Sequence, residues 1–204
     1  TINTNSYLTI GDGTNSVTVT AGTNNPTLNV DGNFTISANA TFTASASATF
    51  SVAGNWSNSG TFTHSNGTVT FDAGTTGKTI NNGSSSFYNV VFNNSSGGWS
   101  FSAAATIDND LTMTAGTLSG TQNTTVNGGD VTGDGTINLT GGTFTLDGAG
   151  NFGGNTAWTF YNLTIGDGSG TTTTTKTGTG NITISNVLTI AANQTLDASD
   201  DTWT

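Results

Sequence analysis

The chain of 204 residues has no cysteine, no arginine and no glutamate. Without cysteine there is no disulfide, no thiolate metal site and no cysteine nucleophile. Its only cations are Lys78 and Lys176, set against twelve aspartates, for a net charge of −10. Two lysines cannot neutralise a run of phosphates, so nucleic acid is excluded as a partner. Anionic membrane surfaces are unsuitable for the same reason. No apolar run approaches the roughly 18 residues of a membrane-spanning helix, so no membrane insertion is expected. Proline occurs once, at Pro26.

What is present is equally one-sided. Threonine (46), glycine (29), asparagine (26) and serine (20) fill more than half the chain. The residues that normally cover exposed helix positions are nearly missing. Threonine loses χ1 freedom in a helix and packs well on a pleated surface. Asparagine and glycine supply turns and left-handed backbone. The alphabet therefore encodes strands and turns. Disorder is opposed by 11 Phe, 4 Trp and many Ile, Val and Leu placed in alternation.

Internal similarity organises the chain. Leu8-Thr9-Ile10-Gly11-Asp12-Gly13 recurs as Leu163-Thr164-Ile165-Gly166-Asp167-Gly168. Phe34-Thr35-Ile36 matches Leu111-Thr112-Met113, Thr68 to Asp72 matches Thr143 to Asp147, and Phe87 to Phe92 matches Phe160 to Ile165. These offsets predict tandem units of about 75–80 residues. Residues 1–7 complete a preceding unit, 8–89 and 90–162 are two full ones, and 163–204 is a partial third. A chain that opens in mid-pattern at Thr1 and stops inside a unit near Trp203 is expected to be processed or part of something longer.

Strand signals are short period-2 runs such as Val17–Thr20, Thr68–Phe71, Ile137–Leu139 and Ile182–Ile184, separated by Gly, Asn and Ser clusters. Ala44 to Thr49 reads as a strand of small residues, and Thr171 to Thr175 as a strand or an extended loop. The predicted fold is all-β: a β-solenoid of the parallel β-helix kind, in which a narrow column needs only modest hydrophobicity. Tandem immunoglobulin-like β-sandwiches are the alternative, permitted by the unit length and the turn spacing. Strands of three or four residues and the missing linkers favour the solenoid.

The Tyr161-Asn162-Leu163-Thr164-Ile165 block, the segment from Gly54 to Thr63 and the composition resemble the repetitive β-solenoid regions of large microbial surface proteins of the adhesin and filament type. That resemblance covers the whole chain. It implies an extracellular or cell-surface scaffold and no particular ligand.

Candidate sites are weighed against plain structural roles. His64, the only histidine, precedes a turn-like Ser65-Asn66-Gly67 and reads as a solvated loop residue rather than a catalytic base. Asp12, Asp31 and Asp72 recur as Asp167, Asp108 and Asp147, which suits turn bonding. A catalytic carboxylate pair would occur once, so the chain is not expected to be an enzyme. No cofactor is implied. Calcium is the ion that Asp108-Asn109-Asp110 and Asp197 to Asp201 could hold, although neither follows a known loop pattern. Twelve Asn-X-Ser/Thr acceptors occur; Asn33, Asn55, Asn66, Asn93 and Asn123 are the glycosylation candidates. Composition explains most of that number. Thr-X-Thr pairs such as Thr18/Thr20, Thr61/Thr63 and Thr143/Thr145 suggest ice-binding solenoids, but show no short constant interval. Trp56, Trp99, Trp158, Phe87, Tyr88, Phe160 and Tyr161 could stack sugars and read better as packing. The expected function is a structural subunit or segment of an extracellular filament, stalk or surface rod. It would associate end to end with copies of itself through β-ladder pairing. An adhesin or carbohydrate-binding module with surface glycans as partners is the alternative.

Overall fold

In the computed structural model, which describes residues 2–22, 24–148 and 150–198, the chain winds into a β-solenoid of about nine turns. The first turn holds β1 (Ile2–Thr4), β2 (Leu8–Ile10) and β3 (Val17–Thr20). The second holds β4 (Leu28–Val30), β5 (Phe34–Ile36) and β6 (Ala40–Thr43), and the third β7 (Phe50–Val52), β8 (Trp56–Asn58) and β9 (Thr61–Thr63). In the fourth, β10 (Thr68–Phe71) and β11 (Lys78–Asn81) are followed by Phe87, which makes a single parallel bridge to Ile107. The fifth and sixth use long strands that run through a corner: β12 (Asn89–Phe101) with β13 (Ala105–Ile107), then β14 (Leu111–Gly120) with β15 (Thr124–Val126). The seventh is β16 (Val131–Thr132), β17 (Thr136–Leu139) and β18 (Thr143–Leu146). Next come β19 (Gly150–Gly153) with β20 (Trp158–Ile165), and β21 (Thr172–Lys176) with β22 (Ile182–Ile190). A final strand, β23 (Gln194–Asp197), opens a tenth turn.

Each turn contributes to three faces, and every ladder is parallel. Face A carries β1, β4, β7, β10, the start of β12 and of β14, β16, β19, β21 and β23. Face B carries β2, β5, β8, β11, the ends of β12 and β14, β17 and the starts of β20 and β22. Face C carries β3, β6 and β9, then β13, β15, β18 and the ends of β20 and β22. Parallel pairing throughout rules out the immunoglobulin-like sandwich, whose sheets are antiparallel.

Alternation sends one set of side chains into the column. Phe34, Phe50, Trp56, Phe62, Phe71 and Phe87 pack edge-to-face or tilted, with ring centroids 4.5–6.0 Å apart. Further along, Leu111, Met113, Leu118, Val126, Val131 and Ile137 take over, all at 0–1 % exposure. At the usual 25 cal/mol per Å² of apolar area, each such side chain contributes about 1.5–3 kcal/mol. Trp56, Trp99 and Trp158 all sit where the chain enters face B and are buried.

The corners within β12 and β14 are among those that need glycine. A Cβ on Gly97 would lie 2.1 Å from the Trp99 ring, and one on Gly116 2.4 Å from the Asn94 carbonyl. Gly116 also has φ +85°, which L side chains avoid. These residues let β12 and β14 turn from face A to face B with backbone almost touching backbone.

The repeating unit is the turn, with a spacing of about 21 residues. Stepping along face B, paired residues lie 26 apart (Leu8 to Phe34), then 22 (Phe34 to Trp56), 24 (Trp56 to Ile80) and 21 (Ile80 to Phe101). The next two steps, Trp99 to Leu118 and Leu118 to Ile137, are 19 each. The longer matches found in the sequence join different faces. Leu8–Ile10 is on face B and Leu163–Ile165 on face C; Phe34–Ile36 is on B and Leu111–Met113 on A. Phe87 is on face C and Phe160 on face B. The 75–80-residue unit thus reflects the common strand-and-turn vocabulary, and its boundaries at 89/90 and 162/163 fall at the first residue of β12 and inside β20. Ala44 to Thr49 is a corner and not a strand: the Ser45 hydroxyl accepts the Ser47 and Ala48 N–H groups and donates to Asn25 Oδ1 at 2.7 Å. Thr172–Lys176 is a strand.

Candidate functional site

Face C is interrupted once. Between β9 and β13 the fourth turn offers no strand, only the Phe87 bridge. Side chains span the gap. The Ser85 hydroxyl accepts the Phe62 N–H at 3.0 Å and the Asn58 amide at 3.2 Å. Asn82 accepts the Trp56 indole N–H at 2.9 Å through Oδ1, and its own amide donates to the Ser85 carbonyl at 3.0 Å. Asn58 donates to the Asn82 carbonyl at 3.0 Å. Asn58 and Asn82 are buried, and these bonds satisfy groups that would otherwise be costly in an apolar column.

At the edge of this seam lies His64. Its Nδ1 accepts the Asn66 N–H at 2.9 Å, so the proton of the neutral ring sits on Nε2 and points at Asp108 Oδ2, 3.2 Å away. Asp108 also accepts the Ser86 hydroxyl at 2.5 Å and the Asn127 amide at 2.9 Å. The imidazole stacks on Tyr88 with centroids 5.5 Å apart. The histidine is therefore only 23 % exposed and tied across two turns, which corrects its reading as a solvated loop residue. Ser86 and His64 both donate to one carboxylate. A nucleophilic serine would have to donate to the imidazole instead, and this geometry does not provide that.

In Asp108-Asn109-Asp110, Asp108 takes the three donors above, Asn109 donates to Asn89 Oδ1 at 2.8 Å and Asp110 accepts the Asp130 N–H at 2.8 Å. Both Asp108 oxygens and Asp110 Oδ1 are thus bonded to neighbouring turns. Among the described residues no group of three or more His, Cys, Asp or Glu is placed to hold a metal. In the second cluster, Ser199 to Asp201 lie outside the described residues. Among the glycosylation candidates, Asn33, Asn66, Asn93 and Asn123 are exposed and Asn55 is half-buried. Asn33 and Asn55 form a corner ladder: Asn33 Oδ1 accepts the Asn55 N–H and Asn55 Oδ1 accepts the Thr79 N–H, both at 2.9 Å. Asn123 does the same for Thr143. Asn66 adopts φ +62° in a corner.

The aspartates split by surroundings. Asp12 is held at about 2 by the backbone N–H groups of Asn15 and Thr14 and by the Asn15 side chain. Asp72 is raised by burial, with Asp31 adding repulsion. Asp147 is raised by burial and then by Asp167, whose own carboxyl is lowered by the Ser169 hydroxyl and N–H.

Trp56, Trp99, Trp158, Phe87 and Phe160 are buried, in line with packing, whereas Tyr161 is 38 % exposed. Sequence reading missed the threonine ladders. Thr18/Thr20, Thr41/Thr43 and Thr61/Thr63 stand opposite one another on face C, and Thr106, Thr125, Thr145, Thr164 and Thr189 continue beyond the seam. Corner lengths vary, so the pairs stack in register without a constant interval in sequence.

Among the described residues, apolar core positions are exposed in the first and last turns. At one end Ile2, Leu8, Ile10, Val19, Leu28 and Phe42 line an apolar depression, with Ile2 and Val19 51 % and 37 % exposed. At the other, Leu188 and Ile190 occupy core positions opposite Leu163 and Ile165 yet are 42 % and 47 % exposed. No protein-family model, curated protein or solved structure matches the chain.

Proposed function

We propose that the chain is a structural segment of an extracellular filament, stalk or surface rod, continued end to end through β-ladder pairing. The observation that carries this reading is the stack of about nine parallel turns in which, among the described residues, core positions such as Ile2, Leu188 and Ile190 are exposed at 51 %, 42 % and 47 %. Open ladders with exposed core positions are a template for further strands. The long faces offer threonine, serine and asparagine, which suits a rod in contact with water along its length. The scaffold works without chemistry of its own, in keeping with a His64 held by Asp108 and Asn66. Its placement outside the cell rests on the composition and on the resemblance of the sequence to microbial surface solenoids.

A glycan-binding role has weaker support, because the described tryptophans are buried. The test is electron microscopy and light scattering of the purified 204-residue chain across concentration. Rods whose length grows with concentration are expected. Compact monomers at every concentration would sink self-association. Protease shaving of intact source cells should release the chain if it lies at the surface.

A further inference from the structure

An asparagine followed by glycine carries a reaction that needs no partner. The glycine nitrogen can attack the asparagine side-chain carbonyl carbon, because no Cβ on the glycine stands in the way. The chain holds three such pairs, Asn66-Gly67, Asn82-Gly83 and Asn127-Gly128, all outside the strands.

At two of them the nucleophile is committed. Gly67 N–H donates to the His64 carbonyl at 2.8 Å, and Gly83 N–H donates to Asn81 Oδ1 at 2.9 Å. Asn82 is also buried and held at both side-chain atoms by Trp56 and the Ser85 carbonyl. The third pair differs. Gly128 N–H has no hydrogen-bond acceptor among the described residues. Asn127 is exposed, and its one side-chain bond, to Asp108 Oδ1 at 2.9 Å, lies at the surface and competes with water. Gly129 follows at φ +65°, so two successive glycines give this corner the backbone freedom to close a ring.

We propose that Asn127 is a self-modifying site, deamidated by ring closure with Gly128, while Asn66 and Asn82 persist in the folded chain. A bond forms between the Gly128 nitrogen and Asn127 Cγ, and the Gly128 proton passes to solvent. The Cγ–Nδ2 bond breaks, and the amide nitrogen takes up a proton and leaves as ammonia. Water then opens the succinimide ring at either carbonyl, giving aspartate or isoaspartate. The net change is one water taken up and one ammonia lost. Its product lands on Asp108, which His64, Ser86 and Asn127 clamp from turns three, four and six. Conversion removes the donor from turn six and sets a second carboxylate against the first, and like charges repel. Isoaspartate also adds a methylene to the backbone directly after Val126, which pairs with Ile107 and Leu146.

The test holds the folded 204-residue chain in mildly alkaline heavy-oxygen water and follows each peptide by mass spectrometry. Label should enter at position 127 several-fold faster than at 66 or 82, and that lead should shrink in urea. Gly128→Ala should nearly stop the reaction. Its added Cβ would lie 3.4 Å from the Asp108 carbonyl oxygen, an ordinary contact that leaves the fold in place. Asn127→Asp stands in for one product and should quicken exchange of the His64 Nε2–H with water. Equal rates at the three sites in the folded chain, or a faster Asn66 or Asn82, would overturn the assignment. A lead that persists unchanged in urea would do so too. So would a Gly128→Ala chain, native by circular dichroism, that deamidates as fast as the parent. An unchanged His64 signal in Asn127→Asp would overturn the link to the clamp.

Discussion

Turns two to four fill the column with Phe34, Phe42, Phe50, Trp56, Phe62 and Phe71, whereas turns six and seven use mainly Leu111, Met113, Leu118, Val126, Val131 and Ile137, with Phe144 as their buried ring. The steps along face B differ accordingly. They are 22 and 24 residues from Phe34 to Ile80, and 19 and 19 from Trp99 to Ile137. The aromatic turns have longer corners and a gap on face C bridged by Asn58, Asn82 and Ser85. The aliphatic turns have short corners and unbroken ladders on all three faces. One cross-section can thus be filled by large rings plus a polar seam, or by branched chains plus continuous backbone pairing.

The comparison breaks most visibly if the core residues are truncated. Trp56→Ala removes a ring that contacts Phe34, Phe50, Phe62, Phe71 and Phe87, and it takes the 2.9 Å donor away from Asn82 Oδ1 inside the column. The expected loss is about 3–5 kcal/mol. Leu118→Ala in the aliphatic region should cost about 2–4 kcal/mol. Urea unfolding of both variants checks the order, and a costlier Leu118→Ala would reverse the ranking of the two regions.

Asn82→Ala sharpens the role of the seam. It strands the Trp56 indole N–H and removes an acceptor from Asn58, so about 1–3 kcal/mol should be lost. Amide exchange should quicken at Phe62 and Phe87 and stay unchanged at Leu118. Asp108→Ala acts further out. It releases His64, Ser86 and Asn127 together, but the carboxylate is about a third exposed and its bonds compete with water. A loss of about 0.5–1 kcal/mol is expected. The readout specific to the clamp is the imidazole Nε2–H by nitrogen NMR, which should shift and exchange faster with water, while Nδ1, still accepting the Asn66 N–H, stays unprotonated.

How much of this was legible in the sequence follows from the same contrast. Alternation in Val17–Thr20, Thr68–Phe71 and Ile182–Ile184 announces strands, and short strands without linkers announce a solenoid. Which strand stacks on which was hidden. A strand of face A and one of face C share the pattern apolar–polar–apolar followed by Asp or Gly, so Thr68–Phe71 matches Thr143–Leu146 across faces. Corner lengths that vary from turn to turn blur the 21-residue spacing. The seam was illegible for another reason. His64 and Asp108 are 44 residues apart, and only the stacking of three turns brings them within 3.2 Å. One signal was available: a Trp opening face B in turns three, five and eight, at Trp56, Trp99 and Trp158.

The smallest effect concerns the corner carboxylates, one in each region. Asp72 follows β10 in the aromatic part and Asp147 follows β18 in the aliphatic part; burial raises both. Each also has an Oδ1 that is buried without a partner. A carboxyl raised in the folded state binds its proton more readily there than in the unfolded chain. Its stabilising contribution is complete below the ordinary value of 3.8 and is lost as pH rises through the raised one. At pH 7 the ionised groups are therefore mildly destabilising. Asp72→Asn and Asp147→Asn should each raise stability by a few tenths of a kcal/mol at pH 7, and the gain should vanish near pH 3.5. Asp12 runs the other way. Its contribution is present above 3.8 and fades as pH falls toward about 2, so Asp12→Asn should bring no gain at pH 7. Because Asp147 also feels Asp167, removing that neighbour's charge with Asp167→Asn should lower the benefit of Asp147→Asn and leave that of Asp72→Asn untouched. Equal effects on both would mean that burial alone sets these corners, independent of which kind of core lies behind them.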